Sequence, residues 1–286
     1  MKIIRYFFEF LIVCVLFLLF KLLGYKIASF LSNLIGSLFG PLFRSKNLIS
    51  NNIKKALPRK NSKEISIIHK EMWGNYGKIL SDYVFIKKFR NSKLKNYLEI
   101  NGEEVLHQIK INKKPVIFIS AHFINFELMA MQIEKSGIKL AAIYRPLNNI
   151  FLNKVMEYIR VKYICLHQIK KGISGTRKML TLFKQGYSIA LMIDQRVSEG
   201  IKCNFFGSPA STTTIPAQLI KKFNCKVVPV HIQRVSGKNY KITVSAPITY
   251  DKNETTESIT LKLNKILEQM ILKNPSQWIW SHNRWK

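Results

Sequence analysis

In VIFISAHFINFELMAMQIEK, residues 116–135, an apolar run rich in β-branched residues stops at a histidine and helix-like sequence follows. Continuous apolar character over 116–120 predicts a strand covered on both faces. A helix is predicted over 123–135, and on it Glu127 is the only charge between Phe123 and Ile133. A carboxylate set among Phe123, Ile124, Phe126, Leu128 and Met129 is expected to be partly buried, where it needs a partner. His122 is the nearest candidate. Five residues along one helix rotate the chain by about 500°, which leaves two side chains about 140° apart. With His122 in the strand-to-helix turn that constraint lifts, and Glu127 can reach back to the ring. A His–Glu pair then lies at the carboxyl end of a strand, where open α/β sheets place their sites. In this reading Glu127 accepts one imidazole N–H and fixes the tautomer, and the other ring nitrogen takes a proton from a hydroxyl. The competing reading is a structural histidine satisfied within the core. The start of the helix would add backbone N–H donors for an anion.

The sequence on either side repeats the alternation. Short apolar runs at 140–144, 163–166, 188–193, 226–232 and 240–244 read as strands. Helices are expected at 149–161, 174–184, 215–223 and 255–272, the last ended by Asn274 and Pro275. SGKN at 236–239 reads as a hairpin turn, so an antiparallel edge is expected on an otherwise parallel sheet. Residues 46–98 look helical and connect the N-terminal segment to the sheet. The expected fold is therefore α/β, a mixed and mostly parallel sheet covered by helices. No internal repeat, Walker loop or GxGxxG is present.

The N-terminus has a different character. FLIVCVLFLLF at 10–20 is followed by a second apolar stretch at 27–43. Residues 3–24 reach the roughly 20 residues of a membrane span only by tolerating Arg5, Glu9 and Lys21. A spanning helix and one lying along the surface both remain open. Continued apolar sequence without a small-x-small site argues against a cleaved signal peptide. From Phe10 to Lys63 there is no carboxylate but nine Lys or Arg. That bias keeps the main domain cytoplasmic and draws the segment to anionic headgroups. The expected division is an anchor with its basic flank at 1–45 and a cytoplasm-facing domain at 46–286.

Across 286 residues, 46 Lys and Arg against 16 Asp and Glu give a net charge of +30. With 47% apolar residues the chain can bury a core, so whole-chain disorder is excluded. The charge calls for polyanionic partners: nucleic acid, an anionic membrane, or acidic substrates and carriers. No nucleic-acid module is recognisable, so a membrane-tethered nucleic-acid binder leaves Glu127 unexplained. Cys14, Cys165, Cys203 and Cys225 form no CxxC pair or metal-ligand spacing, and none of the six histidines stands in a ligand set. No metal or organic cofactor is expected.

His122 and Glu127 together form a HxxxxE block that resembles the HxxxxD/E block of the lysophospholipid acyltransferase superfamily. More narrowly, the chain resembles the lipid A late acyltransferases, the lauroyl and myristoyl transferases. Tyr144-Arg145-Pro146 with Asn148 and Asn149, then Arg160, Asp194-Gln195-Arg196, and Phe205-Phe206-Gly207 with Pro209, Ala210 and Thr212 agree with that family's blocks in type and order. So does the ending Trp278-Ile279-Trp280-Ser281-His282-Asn283-Arg284-Trp285-Lys286. Gln195 and Val197 depart from the family's usual residues, which bears on acyl-chain length and acceptor choice.

The resemblance implies transfer of a fatty acyl chain from an acyl carrier protein thioester to a hydroxyl of a Kdo-lipid IVA-type precursor. It implies the bacterial inner membrane, with the catalytic domain on the cytoplasmic side. Its partners are acyl carrier protein, an anionic glycolipid and membrane lipids. His122 would be the base and Glu127 its orienter, with no covalent acyl-enzyme. Another lysophospholipid, glycerol phosphate or glycolipid acceptor, and hydrolysis by the same base, are the enzymatic alternatives. Substrate contacts are assigned to Arg145, Arg160, Asp194, Arg196, Gly207, His282 and Arg284. Each has a structural alternative. The alternatives are surface ion pairs for the arginines, a helix cap or a partner for Arg196 in Asp194, a turn shaped by Gly207, and packing of the tail by His282 and Arg284. Phe123, Phe126 and Met129 are candidates for an acyl-chain groove.

Overall fold

Helix α1 (Lys2–Phe39) is broken once, at Gly24, whose φ of 77° and ψ of 167° lie outside helical space. Only glycine takes that conformation without strain, and it turns the two halves of the helix onto different paths. The computed structural model describes residues 2–235 and 239–286. After α1 come α2 (Lys46–Ala56), α3 (Ser62–Val84) and α4 (Ile86–Arg90). A reciprocal capping box starts α3: Asn61 accepts from the Glu64 N–H at 3.0 Å and Glu64 accepts from the Asn61 N–H at 2.9 Å. Strand β1 (Leu98–Asn101) and helix α5 (Glu103–Asn112) lead into the alternating part. There β2 (Ile117–Ser120), α6 (Glu127–Lys135), β3 (Leu140–Tyr144), α7 (Ile150–Tyr163), β4 (His167–Lys170), α8 (Ile173–Lys184) and β5 (Ser188–Met192) follow in turn. A hairpin of β6 (Ile201–Phe205) and β7 (Ser208–Thr212) precedes α9 (Ile215–Phe223), β8 (Val227–Val235), β9 (Asn239–Val244) and α10 (Thr256–Lys273).

Seven strands form one sheet in the order β1-β9-β8-β2-β5-β3-β4. Strands β8, β2, β5, β3 and β4 are parallel; β9 runs antiparallel to β8 and parallel to β1. All four residues of β2 are buried, as its unbroken apolar run requires. The expected α/β class with a mostly parallel sheet is what the chain adopts.

Three local expectations are corrected. The antiparallel pair is not the edge, because β1 lies beyond β9; its sequence, LEIN, is too short and polar to stand out. The strand expected at 163–166 is the buried end of α7 and its loop, where Ile164 and Cys165 pack into the core. The strand itself, β4, is the more polar HQIK, which suits the opposite edge. The helix expected from 123 begins only at Glu127, since tight turns bond the Phe123 N–H to Ala121 O and the Phe126 N–H to Ile124 O. The β6–β7 hairpin had no sequence expectation. The turn expected at 236–239 lies, over 236–238, outside the described residues.

The second half of α1 crosses α3 at very short range. A Cβ on Gly77 would stand 2.0 Å from the Ser32 carbonyl oxygen, and one on Gly36 would stand 2.4 Å from the Trp73 carbonyl oxygen. Small residues on both helices allow the backbones to touch. The crossing is fastened by Ser32 Oγ donating to Ser81 Oγ at 3.0 Å and by Tyr25 Oη donating to the buried Asp82 at 3.1 Å. Asp82 also takes Arg234 of β8 at 3.0 Å, which joins the α1–α3 layer to the sheet. Gly77→Val is expected to force the helices apart at a cost of about 1–3 kcal/mol. A lower thermal midpoint and faster proteolysis in the segment after Phe39 would report it.

Candidate active site

Parallel pairing of β2 with β5 places Ser120 opposite Met192. His122 and Asp194 each lie two residues beyond those positions, at the carboxyl ends of neighbouring strands about 5 Å apart. The His122 Nδ1 atom is 2.7 Å from Asp194 Oδ1, and the His122 backbone N–H donates to Asp194 Oδ2 at 2.9 Å. The Trp278 indole donates to the same Oδ2 at 2.8 Å. Burial alone would raise the Asp194 carboxyl. The charge of His122 and the hydrogen bonds from His122 and Trp278 outweigh burial and hold it at about 2. An ionised carboxylate only accepts, so Nδ1 carries the hydrogen and, in the neutral ring, Nε2 holds a free lone pair. The His122 side chain is 21% exposed, against 1% for Asp194, so the ring links a buried charge to an open edge. Gln195 Nε2 lies 3.5 Å from His122 Nε2, and the Phe126 ring stands edge-on at 5.2 Å.

The expected His122–Glu127 pair does not form. Glu127 Oε1 instead accepts from Arg160 Nε at 2.7 Å and from Tyr83 Oη at 2.5 Å, with Arg160 Nη2 also at 2.5 Å. Non-helical turns from Phe123 to Phe126 separate the two residues, and α6 carries Glu127 toward α3 and α7. The buried carboxylate does need a partner, but that partner is an arginine 33 residues away. Arg160 is buried and also stacks over the Tyr144 ring at 5.3 Å, so it is committed to the fold and not offered to a substrate phosphate. Asp194, assigned to substrate or structure, is the residue that orients His122.

The remaining assignments divide. Arg145 follows β3 at the same sheet edge as His122 and is exposed, without an ion pair among the described residues. Arg196 is exposed too, and its backbone N–H donates to His282 Nε2 at 3.1 Å. Burial pushes the His282 imidazole down, against the pull of Asp194. Gly207 shapes a turn: Phe206 and Gly207, with φ of 51° and 72°, form the two-residue link between β6 and β7. Glu268 anchors that link by accepting the Phe206 N–H at 2.7 Å. Arg284 is fully buried, donating to Ser211 O at 2.8 Å and Thr212 Oγ1 at 2.7 Å, so it clamps the tail and faces no substrate. Phe123 and Met129 belong to the core, with Phe123 against His231 at 4.5 Å; of the three groove candidates only Phe126 is partly exposed.

Trp278, Tyr83 and Asn52 were absent from the sequence-based set. Trp278 pairs with Phe123 through an isolated bridge, and Asn52 holds the tail by donating to the Trp280 and His282 carbonyls at 2.9 Å each. The C-terminal tail is thus part of the site. Its three tryptophans were a visible signal, whereas nothing in α3 marks Tyr83.

No serine or cysteine side chain bonds His122 among the described residues. An imidazole held by a carboxylate at one nitrogen can accept a proton from a hydroxyl at the other. The chain belongs to the bacterial lipid A biosynthesis acyltransferase family, whose sequence model matches residues 1–286. A lipid A biosynthesis acyltransferase of Haemophilus influenzae is 24% identical over 88% of this chain and 83% of its own length. The lipid A biosynthesis lauroyltransferase of Escherichia coli is 23% identical over 85% and 79%. The myristoyltransferase of the same organism is 24% identical over 80% and 71%. A crystal structure of the 1-acyl-sn-glycerophosphate acyltransferase PlsC from Thermotoga maritima covers 90% of this chain and all of its own, at 12% identity and a TM-score of 0.43. The family resemblance drawn from the sequence motifs is upheld. Family and apolar α1 together indicate a membrane-associated acyltransferase.

Proposed function

We propose that the enzyme transfers a fatty acyl chain from an acyl carrier protein thioester to a hydroxyl of a Kdo-lipid IVA-type precursor, at the cytoplasmic face of the bacterial inner membrane. His122 Nε2 takes the hydroxyl proton while the oxygen attacks the thioester carbonyl. The new C–O ester bond forms as the C–S bond breaks, and the imidazolium returns the proton to the departing thiolate. Asp194 holds the tautomer and stabilises the imidazolium in the transition state. The observation that carries this reading is the double hydrogen bond from His122 to Asp194, which turns Nε2 to an open edge where Gln195, at 3.5 Å, is its only polar neighbour among the described residues. Exposed Arg145 and Arg196 at the same edge suit the phosphates of both substrates, and the net charge of +30 suits an acidic carrier.

The test is an acyl-transfer assay in detergent, with fatty acyl carrier protein as donor and either a tetraacylated lipid A precursor or a lysophospholipid as acceptor. Ester formation on the precursor is expected. Transfer to the lysophospholipid alone would overturn the acceptor, and release of free fatty acid without transfer would overturn the reaction. In the same assay Asp194→Asn is expected to lower kcat by about 10²–10⁴-fold, because an amide can donate to Nδ1 and favour the unproductive tautomer. Unchanged kcat in a folded Asp194→Asn protein would remove Asp194 from the mechanism.

A further inference from the structure

The described residues contain one helical stretch long and apolar enough to cross a membrane, Lys2–Phe43, in which an 18-residue window reaches a mean hydropathy of 2.5. Its first half does not project from the domain. Tyr6, Phe10, Val13, Phe17 and Phe20 recur every three or four residues, and these, with Glu9 and Leu16, are covered to varying degrees while the other positions from 2 to 19 are exposed. One face of the helix therefore turns toward the domain, with Leu16 packed against the core between attachments near its two ends. Near its start, Phe7 and Phe10 pack on Phe151 of α7 with ring centres 5.7 and 5.9 Å apart. Asn149, the cap of α7, donates to Tyr6 O at 2.8 Å and to Glu9 Oε2 at 3.0 Å. Near its end, Phe20 is buried and Tyr25 bonds Asp82. The two attachments lie about 20 Å apart along the helix.

A hydrocarbon core about 30 Å thick cannot enclose this helix without also enclosing α7. Helix α7 carries exposed Lys154 and Lys162, and the backbone of its flanking loops could not be satisfied in lipid. Its outer stripe is nevertheless apolar: Ile150, Val155, Tyr158 and Val161 are 38–59% exposed. Next to it, the outer side of α1 exposes Ile3, Ile12, Leu18 and Leu22 at 60–75%. Residues 144–178 contain eight Lys or Arg and a single carboxylate, Glu157, which is taken up by Tyr144 at 2.5 Å and Lys170 at 3.0 Å. An apolar face fringed by an excess of lysines and arginines matches the headgroup–acyl boundary of an anionic bilayer.

We propose that the protein is monotopic: the first half of α1 and the outer face of α7 lie side by side in one leaflet of an anionic membrane, and α1 does not cross it. The inference rests on the reading that the chain is membrane-associated.

The topology can be tested on the full chain. Cys14 is the exposed cysteine and the other three are buried, so Cys14→Ser supplies the background. Lys2→Cys, Lys26→Cys and Ile111→Cys are each bound to preformed phosphatidylglycerol-containing vesicles and treated with a membrane-impermeant maleimide. Equal labelling at all three positions before detergent is expected. Labelling of position 2 only after detergent, with 26 and 111 already labelled, would show a spanning helix and overturn the proposal. Failure of every variant to co-sediment with vesicles would overturn the membrane reading itself. In the second arm, a polarity-sensitive dye on Tyr158→Cys is expected to be quenched by lipids brominated along their acyl chains, while the same dye on Ile111→Cys is not. Equal insensitivity of both would exclude α7 from the membrane face.

Discussion

His122→Ala is expected to fold as the parent does and to lose acyl-transfer turnover by about 10²–10⁴-fold. The ring lies at a partly open edge, so truncation opens no sealed cavity. The cost that truncation does carry falls on Asp194. That carboxylate keeps the His122 backbone N–H and the Trp278 indole as donors, two of its three bonds. Its charge remains hydrogen-bonded and the strand ends stay in register. The loss should appear in kcat, because the proton leaves the hydroxyl only as the new ester bond forms. Near-parental turnover in a His122→Ala protein with an unchanged unfolding transition would sink the proposed chemistry.

Glu127→Ala should act in the opposite way, through stability. It removes the carboxylate from a buried pair whose side chains are 10% and 7% exposed, and leaves the Arg160 guanidinium uncompensated. Breaking a buried pair by deleting one partner costs about 3–5 kcal/mol. Tyr83 loses its acceptor in the same step. The thermal midpoint of the detergent-solubilised protein should fall sharply. The double variant Glu127→Met with Arg160→Met removes both charges and should recover much of that loss. A Glu127→Ala protein as stable as the parent but inactive would instead return Glu127 to the chemistry, as its place in the HxxxxE block first suggested.

The contrast between these variants follows from what the linear order of residues conveys. The buried run before His122 placed that residue at the end of a covered strand, and the isolated charge on the following segment marked Glu127 as buried and paired. Both inferences rest on local physics: apolar runs seek cover, and carboxylates do not enter a core alone. The strand–helix alternation conveyed the α/β class in the same way. The edges of the sheet were less legible. Strands β1 and β4 are short and polar because one side of each pairs with nothing, and that removes the hydrophobic signal.

Which side chains meet is a different kind of information. His122 and Asp194 are 72 residues apart and reach each other because β5 inserts beside β2 after three helical crossovers. Nearness in sequence favoured Glu127, five positions away, but the turns before α6 carry it to Arg160 and Tyr83. Arg284 and Gly207 keep their places in the sequence pattern yet serve the tail and a turn, because burial and backbone angle are set by what surrounds them. The sequence by itself determined the covered strand ending at His122, the basic surface and the apolar N-terminal helix, since each follows from residue type and period. Only the tertiary structure decided which carboxylate holds the histidine and that α1 lies along the domain. Strand order and helix docking are contacts between distant segments, and local spacing places no constraint on them.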